Sequence, residues 1–228
     1  MPLGIGRRVR GLVASAFPGQ FPWLYSTQDH NIEVPVQVAA YELVTRKYLN
    51  AGDAVLDVGF GLGYGLRIMA QKAGELRGVE TDKKAVSHAQ RLVSDIPEIC
   101  ELRYYESGTI PYDTGSFDVV TCVDVLEHVP NYLSLIEEMI RVSRRVAFLS
   151  TPNLRPEYTR RNGKPRNRWH IREWSYQEFD SILRRFPDLH VDWNFLNGPW
   201  DGPFECSSAI HKDTLALTPA LVRVSSQR

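Results

Sequence analysis

The run Ala54-Val55-Leu56-Asp57-Val58-Gly59-Phe60-Gly61-Leu62-Gly63-Tyr64-Gly65 constrains this chain more than any other stretch. Ala54 to Val58 is apolar apart from Asp57 and rich in β-branched residues, which is the signature of a parallel strand buried on both faces. Glycines then recur at every second position, and Leu66 to Ala73 reads as a helix. A strand, a glycine turn and a helix in that order let a ligand lie against bare backbone, because glycine has no Cβ to hold it off.

The spacing of the glycines bears on which ligand. A dinucleotide turn needs G-x-G-x-x-G, and here Gly59 and Gly61 match while Tyr64 takes the third glycine's place. The ladder instead resembles the first motif of class I S-adenosylmethionine (SAM) methyltransferases. That resemblance implies a Rossmann-like α/β fold, a mostly parallel seven-stranded sheet with helices on both faces. It also implies that Asp57, Gly59, Gly61 and Gly63 belong to the cofactor site. Leu76 to Glu80 reads as a second strand ending in an acid, and a carboxylate there can accept from both ribose hydroxyls. Thr81 or Asp82 then caps a helix running through Leu92. Arg103 to Tyr105 is a third strand and Ser116 to Val123 a fourth. By the same resemblance Glu106 contacts the adenine amino group and Val123 lines the cofactor site. A helix over Pro35 to Leu49 covers that site in the family.

Farther along, a helix is expected over Tyr132 to Val142 and a fifth strand over Val146 to Ser150. Ser175 with Glu178 forms a capping box that opens a helix through about Phe186. Strands over His190 to Phe195 and Glu205 to His211 complete the sheet. This alternation argues for a doubly wound sheet. It divides the chain into an N-terminal arm or lid, 1–31, and one methyltransferase domain, 32–228.

Composition narrows the setting. The chain has 228 residues, is 43% hydrophobic and carries no formal net charge. No apolar run approaches the roughly 18 residues of a membrane span, so no integral membrane association is expected. Arg7, Arg8 and Arg10 precede only a short apolar stretch before Pro18. Met1 to Gln20 therefore reads as an arm or a weak basic surface anchor rather than a signal peptide. The cysteines (Cys100, Cys122 and Cys206) have neither metal nor redox spacing, and their odd number points to a reducing, cytoplasmic compartment. The charge is unevenly spread. Arg155, Arg160, Arg161, Lys164, Arg166, Arg168 and Arg172 face a single acid, Glu157, between Asn153 and Arg172, a local +6 that leaves −6 for the remainder. Such a patch attracts anions, unless it is simply a solvated basic loop.

The chemistry concentrates after the fourth strand. Asp124, Glu127 and His128 stand at i, i+3 and i+4, so the first turn of a helix places them on one face. Two carboxylates and an imidazole can ligate Mg²⁺, Mn²⁺, Fe²⁺ or Zn²⁺. With Ser150-Thr151-Pro152-Asn153 and with His170-Ile171-Arg172-Glu173-Trp174, the pattern D-x-x-E-H, S-T-P-N, H-x-x-E-W resembles the small-RNA 3′-terminal 2′-O-methyltransferases. The ubiquinone-biosynthesis O-methyltransferases share the E-x-x-E-H part. The resemblance implies Asp124, Glu127, His128 and His170 as metal ligands, although Asp124 stands where the family has glutamate and reaches one methylene less. Without a metal, His128 or His170 is the candidate catalytic base. Trp169 and Trp174 either stack on a sugar or aromatic ring or pack the loop onto the sheet.

These readings converge on a SAM-dependent, metal-assisted O-methyltransferase of a vicinal diol on a sugar, a glycan end or a catechol. The alternatives are methylation of an RNA 3′ end, a metal-independent enzyme with a histidine base, and a non-catalytic SAM-binding module. The sequence leaves oligomeric state open.

Overall fold

A computed structural model describes residues 30–199 and 203–223. The expected arm lies outside them except for its last two residues, which open the first helix. Helix α1 (His30–Lys47) precedes β1 (Ala54–Val58), α2 (Tyr64–Met69), β2 (Glu75–Glu80), α3 (Lys83–Leu92), β3 (Ile99–Tyr104) and β4 (Phe117–Val123). There follow α4 (Tyr132–Val142), β5 (Ser143–Pro152), α5 (Tyr176–Leu183), β6 (Leu189–Asp192), β7 (Phe195–Asn197), β8 (Glu205–Ser207), β9 (Thr214–Leu217) and β10 (Ala220–Arg223).

The sheet is built outward from β1, which pairs in parallel with β2 and β4. Neighbouring strands run β3-β2-β1-β4-β5, after which β10 lies antiparallel between β5 and β6. The Rossmann-like α/β expectation therefore holds, but the expected seven strands are ten of mixed orientation. The surplus arises because β5 is long. Its last residues, Thr151 and Pro152, leave the main sheet to pair with β9, which carries β7 and β8 beside it.

Alternation along the central strands explains why both faces are covered. Val55, Val119, Val146 and Phe148 point into one core with Val44, Leu66, Met69 and Ala89 of the first three helices. Leu56, Val120, Ala147 and Leu149 point into the other with Ile136, Met139, Phe179 and Leu183 of α4 and α5. Successive strand residues face opposite sides, so an apolar run serves two cores at once. Cys122 is one of these wholly buried residues. Asp82 caps α3 through Lys84 and Ala85 amides, and the Ser175–Glu178 capping box forms as expected. No helix among the described residues is long and apolar enough to cross a membrane.

The chain runs from β1 out to β3 and then returns to lay β4 on the other side of β1. This reversal opens a crevice at the carboxyl ends of β1 and β4, where ligands bind in doubly wound sheets.

Candidate active site

A cavity of about 700 Å³ fills that crevice. Every strand of the first half contributes its carboxyl-terminal loop: Gly59 to Leu62 after β1, Glu80 and Thr81 after β2, Tyr105 and Ser107 after β3, Val123 to Val125 after β4. Helix α1 covers it with Gln37 and Tyr41, as expected of the helix before the first strand.

The glycine turn has the local geometry its spacing demands. Gly59 stands at φ +76, and a Cβ there would meet Val125 Cγ2 at 2.5 Å. Gly61 stands at φ +52 with nothing within 4 Å of where its Cβ would be, so its backbone faces open cavity. Glu80 anchors this turn. Its Oε2 accepts from the Gly61 amide at 2.9 Å, and its Oε1 accepts from the amides of Thr81 at 2.6 Å and Asp82 at 3.1 Å. Burial raises the Glu80 carboxyl above the usual range, against the pull of those amides.

Two expected cofactor contacts are placed elsewhere. Asp57 is wholly buried beneath the turn, where it accepts from Tyr41 Oη at 3.0 Å and Thr121 Oγ1 at 2.8 Å. Burial pushes its carboxyl up to about 7, the two hydrogen bonds opposing the shift. Asp57 thus fastens α1 to β1 instead of lining the cavity. Glu106 is exposed, while its neighbours Tyr105 and Ser107 line the cavity.

The acid–imidazole cluster is not built as a helical face. Asp124 has φ 52, Leu126–His128 is a single 3₁₀ turn, and α4 begins only at Tyr132. The left-handed residue turns the chain sharply out of β4, so the i, i+3, i+4 argument does not apply. A carboxylate oxygen of Glu127 and a ring nitrogen from each of His128 and His170 nevertheless lie within 4.8 Å of one another. Asp124 stands apart from this trio. Its carboxylate takes the Ser150 hydroxyl, its amide donates to Ser150 Oγ at 3.1 Å, and Gln37 also bonds to it. Asp124 lines the cavity.

Residues from 167 to 173 dock on this turn and set its chemistry. Ile171 N–H donates to the Glu127 carbonyl at 2.8 Å, and His128 Nδ1 lies 3.0 Å from the Trp169 carbonyl. A carbonyl can only accept, so His128 Nδ1 carries the hydrogen and Nε2 the lone pair. Burial, with the neighbouring His170 adding to it, pushes the His128 pKa down to about 4, which keeps the ring neutral. His170 Nδ1 lies 2.6 Å from Glu173 Oε1, and Asn167 Nδ2 lies 2.9 Å from its Nε2. Glu127 Oε2 accepts from Thr151 Oγ1 at 3.3 Å. One buried carboxylate and two imidazoles form a donor set suited to a divalent transition metal, and a carboxylate behind a ligating histidine fixes its orientation.

Several of these residues had not been singled out from the sequence. Gln37 and Tyr41 carry no motif, and Ser150 opens the S-T-P-N motif without any signal that it would bond Asp124. Glu173 does carry a signal, three residues after His170, and its role as the histidine's partner follows from that spacing. The two tryptophans divide. Trp169 lines the cavity, whereas Trp174 is buried against Tyr132 and Phe179, at ring-centroid distances of 5.0 and 5.3 Å.

With this geometry in place, the chain was compared with known proteins. Residues 56–150 match the family model described as "Methyltransferase domain". This segment, less than half of the chain, is thus similar to methyltransferase domains. A Mycolicibacterium smegmatis protein named "Probable S-adenosylmethionine-dependent methyltransferase" is 31% identical over 135 residues, 58% of this chain and 51% of that one. A ubiquinone biosynthesis O-methyltransferase of Azoarcus sp. is 34% identical over 117 residues, 45% of this chain and 46% of that one. The chain thus spans about half the length of these relatives. Two solved structures share the fold. A SAM-dependent methyltransferase from Aquifex aeolicus matches with TM-score 0.60 and 18% identity, over 91% of this chain and 99% of that one. Magnesium protoporphyrin IX methyltransferase from Synechocystis, with bound SAH, matches with TM-score 0.66 and 15% identity, over 96% of this chain and 94% of that one. The matched segment begins inside β1 and ends with Ser150 in β5, so it spans the glycine turn, Glu80 and the 124–128 turn but not His170.

Proposed function

We propose that this protein transfers the methyl group of SAM to a hydroxyl of a vicinal diol, as found on a sugar, a glycan end or a catechol, with a divalent metal held by Glu127, His128 and His170. The observation that carries this reading is the contact between two sites: His128 belongs both to the donor trio and to the wall of the cavity that runs from Gly61 to Glu80. The O-methyltransferase among the relatives supports oxygen as the accepting atom.

Transfer from a sulfonium to oxygen is an in-line displacement. An O–C bond forms as the C–S bond breaks, the electron pair of the C–S bond stays on sulfur, and the hydroxyl proton passes to solvent water. Most of the acceleration is positioning. The protein's contribution begins with Glu80, which holds the Gly61 turn rigid and presents its carboxylate to the ribose hydroxyls. His128 is fixed by the Trp169 carbonyl and His170 by Glu173, so both rings are oriented before any substrate enters. Trp169 offers a flat apolar wall for a sugar or aromatic ring. A divalent cation, when bound, supplies chelation of two neighbouring hydroxyls and lowers the pKa of the attacking one.

A second reading has its own support. Asn167 Nδ2 sits 2.9 Å from His170 Nε2 and would have to move aside for a metal there, whereas His128 Nε2 could take the proton in a metal-independent reaction. An imidazole with a pKa of about 4 is a weak base at neutral pH, so the metal-assisted reading stands first.

The test is methyl transfer from labelled SAM to a panel of catechols and sugars, with divalent metals added or chelated. Chelator should reduce turnover to background, and one divalent metal should restore it. Glu127→Ala and His170→Ala should each lower turnover at least about a hundredfold, the several kcal/mol expected of Lewis-acid assistance, while SAM affinity by calorimetry stays within about twofold. Full turnover in chelator would reject the metal.

A further inference from the structure

The segment just ahead of Trp169 is a tight hairpin. Thr159 bridges Pro165 in antiparallel fashion, Arg160 N–H donates to the Lys164 carbonyl at 2.8 Å, and Gly163 N–H donates to the Arg160 carbonyl at 2.9 Å. The turn is closed by Gly163 at φ +77 and by the Asn162 side chain, which accepts from the Lys164 amide at 3.2 Å. Arg160, Arg161, Lys164, Arg166 and Arg168 are all exposed on it. Nearby, Arg155 pairs with Glu157 at 2.5 Å, and Arg172 lies over the rings of Tyr132 and Trp174 at 4.8 and 5.9 Å. Among the described residues, no acidic side chain pairs with Arg160, Arg161, Lys164 or Arg168.

The position of this charge matters as much as its size. The Arg168 guanidinium sits 4.6 Å above the Trp169 ring, and Trp169 lines the cavity. The hairpin is held at the cavity mouth, because the residues that follow it are clipped to the 127–128 turn through Trp169 O and Ile171 N. Arg166 lies three positions before Trp169, a reach of at most about 10 Å. Like charges crowded on one hairpin repel one another, and an incoming anion relieves that repulsion while being drawn to the mouth.

We infer that the acceptor is a glycosyl diphosphate, with its diphosphate on the 160–168 hairpin and its sugar diol inside the cavity past Trp169. This inference rests on the reading that the cavity binds SAM and a diol. Guanidinium forks match phosphate oxygens bidentately, and a diphosphate offers two adjacent phosphate groups to the exposed bases of the hairpin. The alternative polyanion, RNA, needs a longer track. Phosphate contacts dominate nucleic-acid affinity, and beyond this segment the chain carries −6.

Calorimetry on the full chain tests the assignment, using inorganic pyrophosphate, UDP-glucose, farnesyl diphosphate and a single-stranded RNA oligonucleotide as probes. The variant is Arg161→Ala/Lys164→Ala/Arg168→Ala, which keeps the Arg160 and Gly163 bonds that shape the turn. Pyrophosphate should bind the wild type, compete with UDP-glucose or farnesyl diphosphate, and bind the variant at least about tenfold more weakly. SAM affinity should stay within about twofold. Which of the two organic diphosphates binds more tightly distinguishes a nucleotide-borne from a lipid-borne sugar. Equal pyrophosphate affinity in variant and wild type overturns the inference, as does RNA binding more than about tenfold tighter than either organic diphosphate. SAM failing to bind the wild type overturns the methyltransferase reading itself, and the acceptor assignment with it, even where pyrophosphate binds.

Discussion

Gly59 packs the glycine turn against the 124–128 turn, and replacing it with alanine tests that junction. The new Cβ would lie 2.5 Å from Val125 Cγ2 and 3.2 Å from Cγ1, but 3.4 Å from Val125 Cβ. Carbon atoms rest at about 3.5–4.0 Å, so the two methyls must retreat by about 1 Å. Overpacking of this kind costs about 1–3 kcal/mol. A left-handed φ of +76 adds roughly 1–2 kcal/mol for any residue with a Cβ. Gly59→Ala should therefore destabilise the fold by about 2–5 kcal/mol in total. Val125→Ala alone removes two half-buried methyls and should cost about 1 kcal/mol. In the double variant the clash disappears while the dihedral cost remains. Urea denaturation of all four proteins gives the coupling directly. The double variant should be at least about 1 kcal/mol more stable than the sum of the single effects. Simple additivity, or a Gly59→Ala cost below about 1 kcal/mol, would refute both the contact and the strained turn.

Two further outcomes follow from buried carboxylates. Asp57 titrates near 7 in the fold against an ordinary 3.8, so its stabilising protonated form is complete below pH 4 and is lost as pH rises through 7. The rise from 3.8 to about 7 corresponds to at most about 4 kcal/mol. Urea denaturation of wild type and Asp57→Asn across that window should give a difference that changes by a measurable part of this ceiling, whereas parallel curves would contradict the burial argument. Glu80→Ala removes the acceptor for the Gly61, Thr81 and Asp82 amides and, on the proposed function, the partner of the ribose hydroxyls. It should weaken SAM at least about tenfold by calorimetry, and unchanged affinity would place the cofactor elsewhere.

The half of the fold around the glycine turn was legible because its signals are local. A buried parallel strand, alternating glycines and an acid at the next strand's end need no distant partner to be recognised, and β1, β2 and Glu80 lie where they point. The capping box at Ser175 is equally local. The second half was read poorly for a different reason. His190 to Phe195 alternates as one strand, yet Leu189–Asp192 pairs with β10 while Phe195–Asn197 pairs with β8 and β9. Pattern alone does not reveal that one alternation serves two partners. The last strands, Thr214–Leu217 and Ala220–Arg223, are short and separated by Thr218 and Pro219, which reads as a loop. Within the site, Glu127, His128 and His170 come together as their residue types suggest. Asp124 stands apart because a left-handed backbone and a competing hydroxyl on Ser150 depend on tertiary geometry. Asp57 illustrates the same limit: the motif names the residue but not the direction it faces.

Strand β10 has a consequence for how the molecule is made. It is the tenth strand in order of synthesis, yet it sits between the fifth and the sixth. A nascent chain halted before Ala220 holds a complete glycine turn and acid–imidazole turn, but β5 and β6 face each other across a strand-wide gap with unsatisfied amide edges. Such an intermediate is exposed to edge-to-edge association until residues 220–223 leave the ribosome and zip the two halves together.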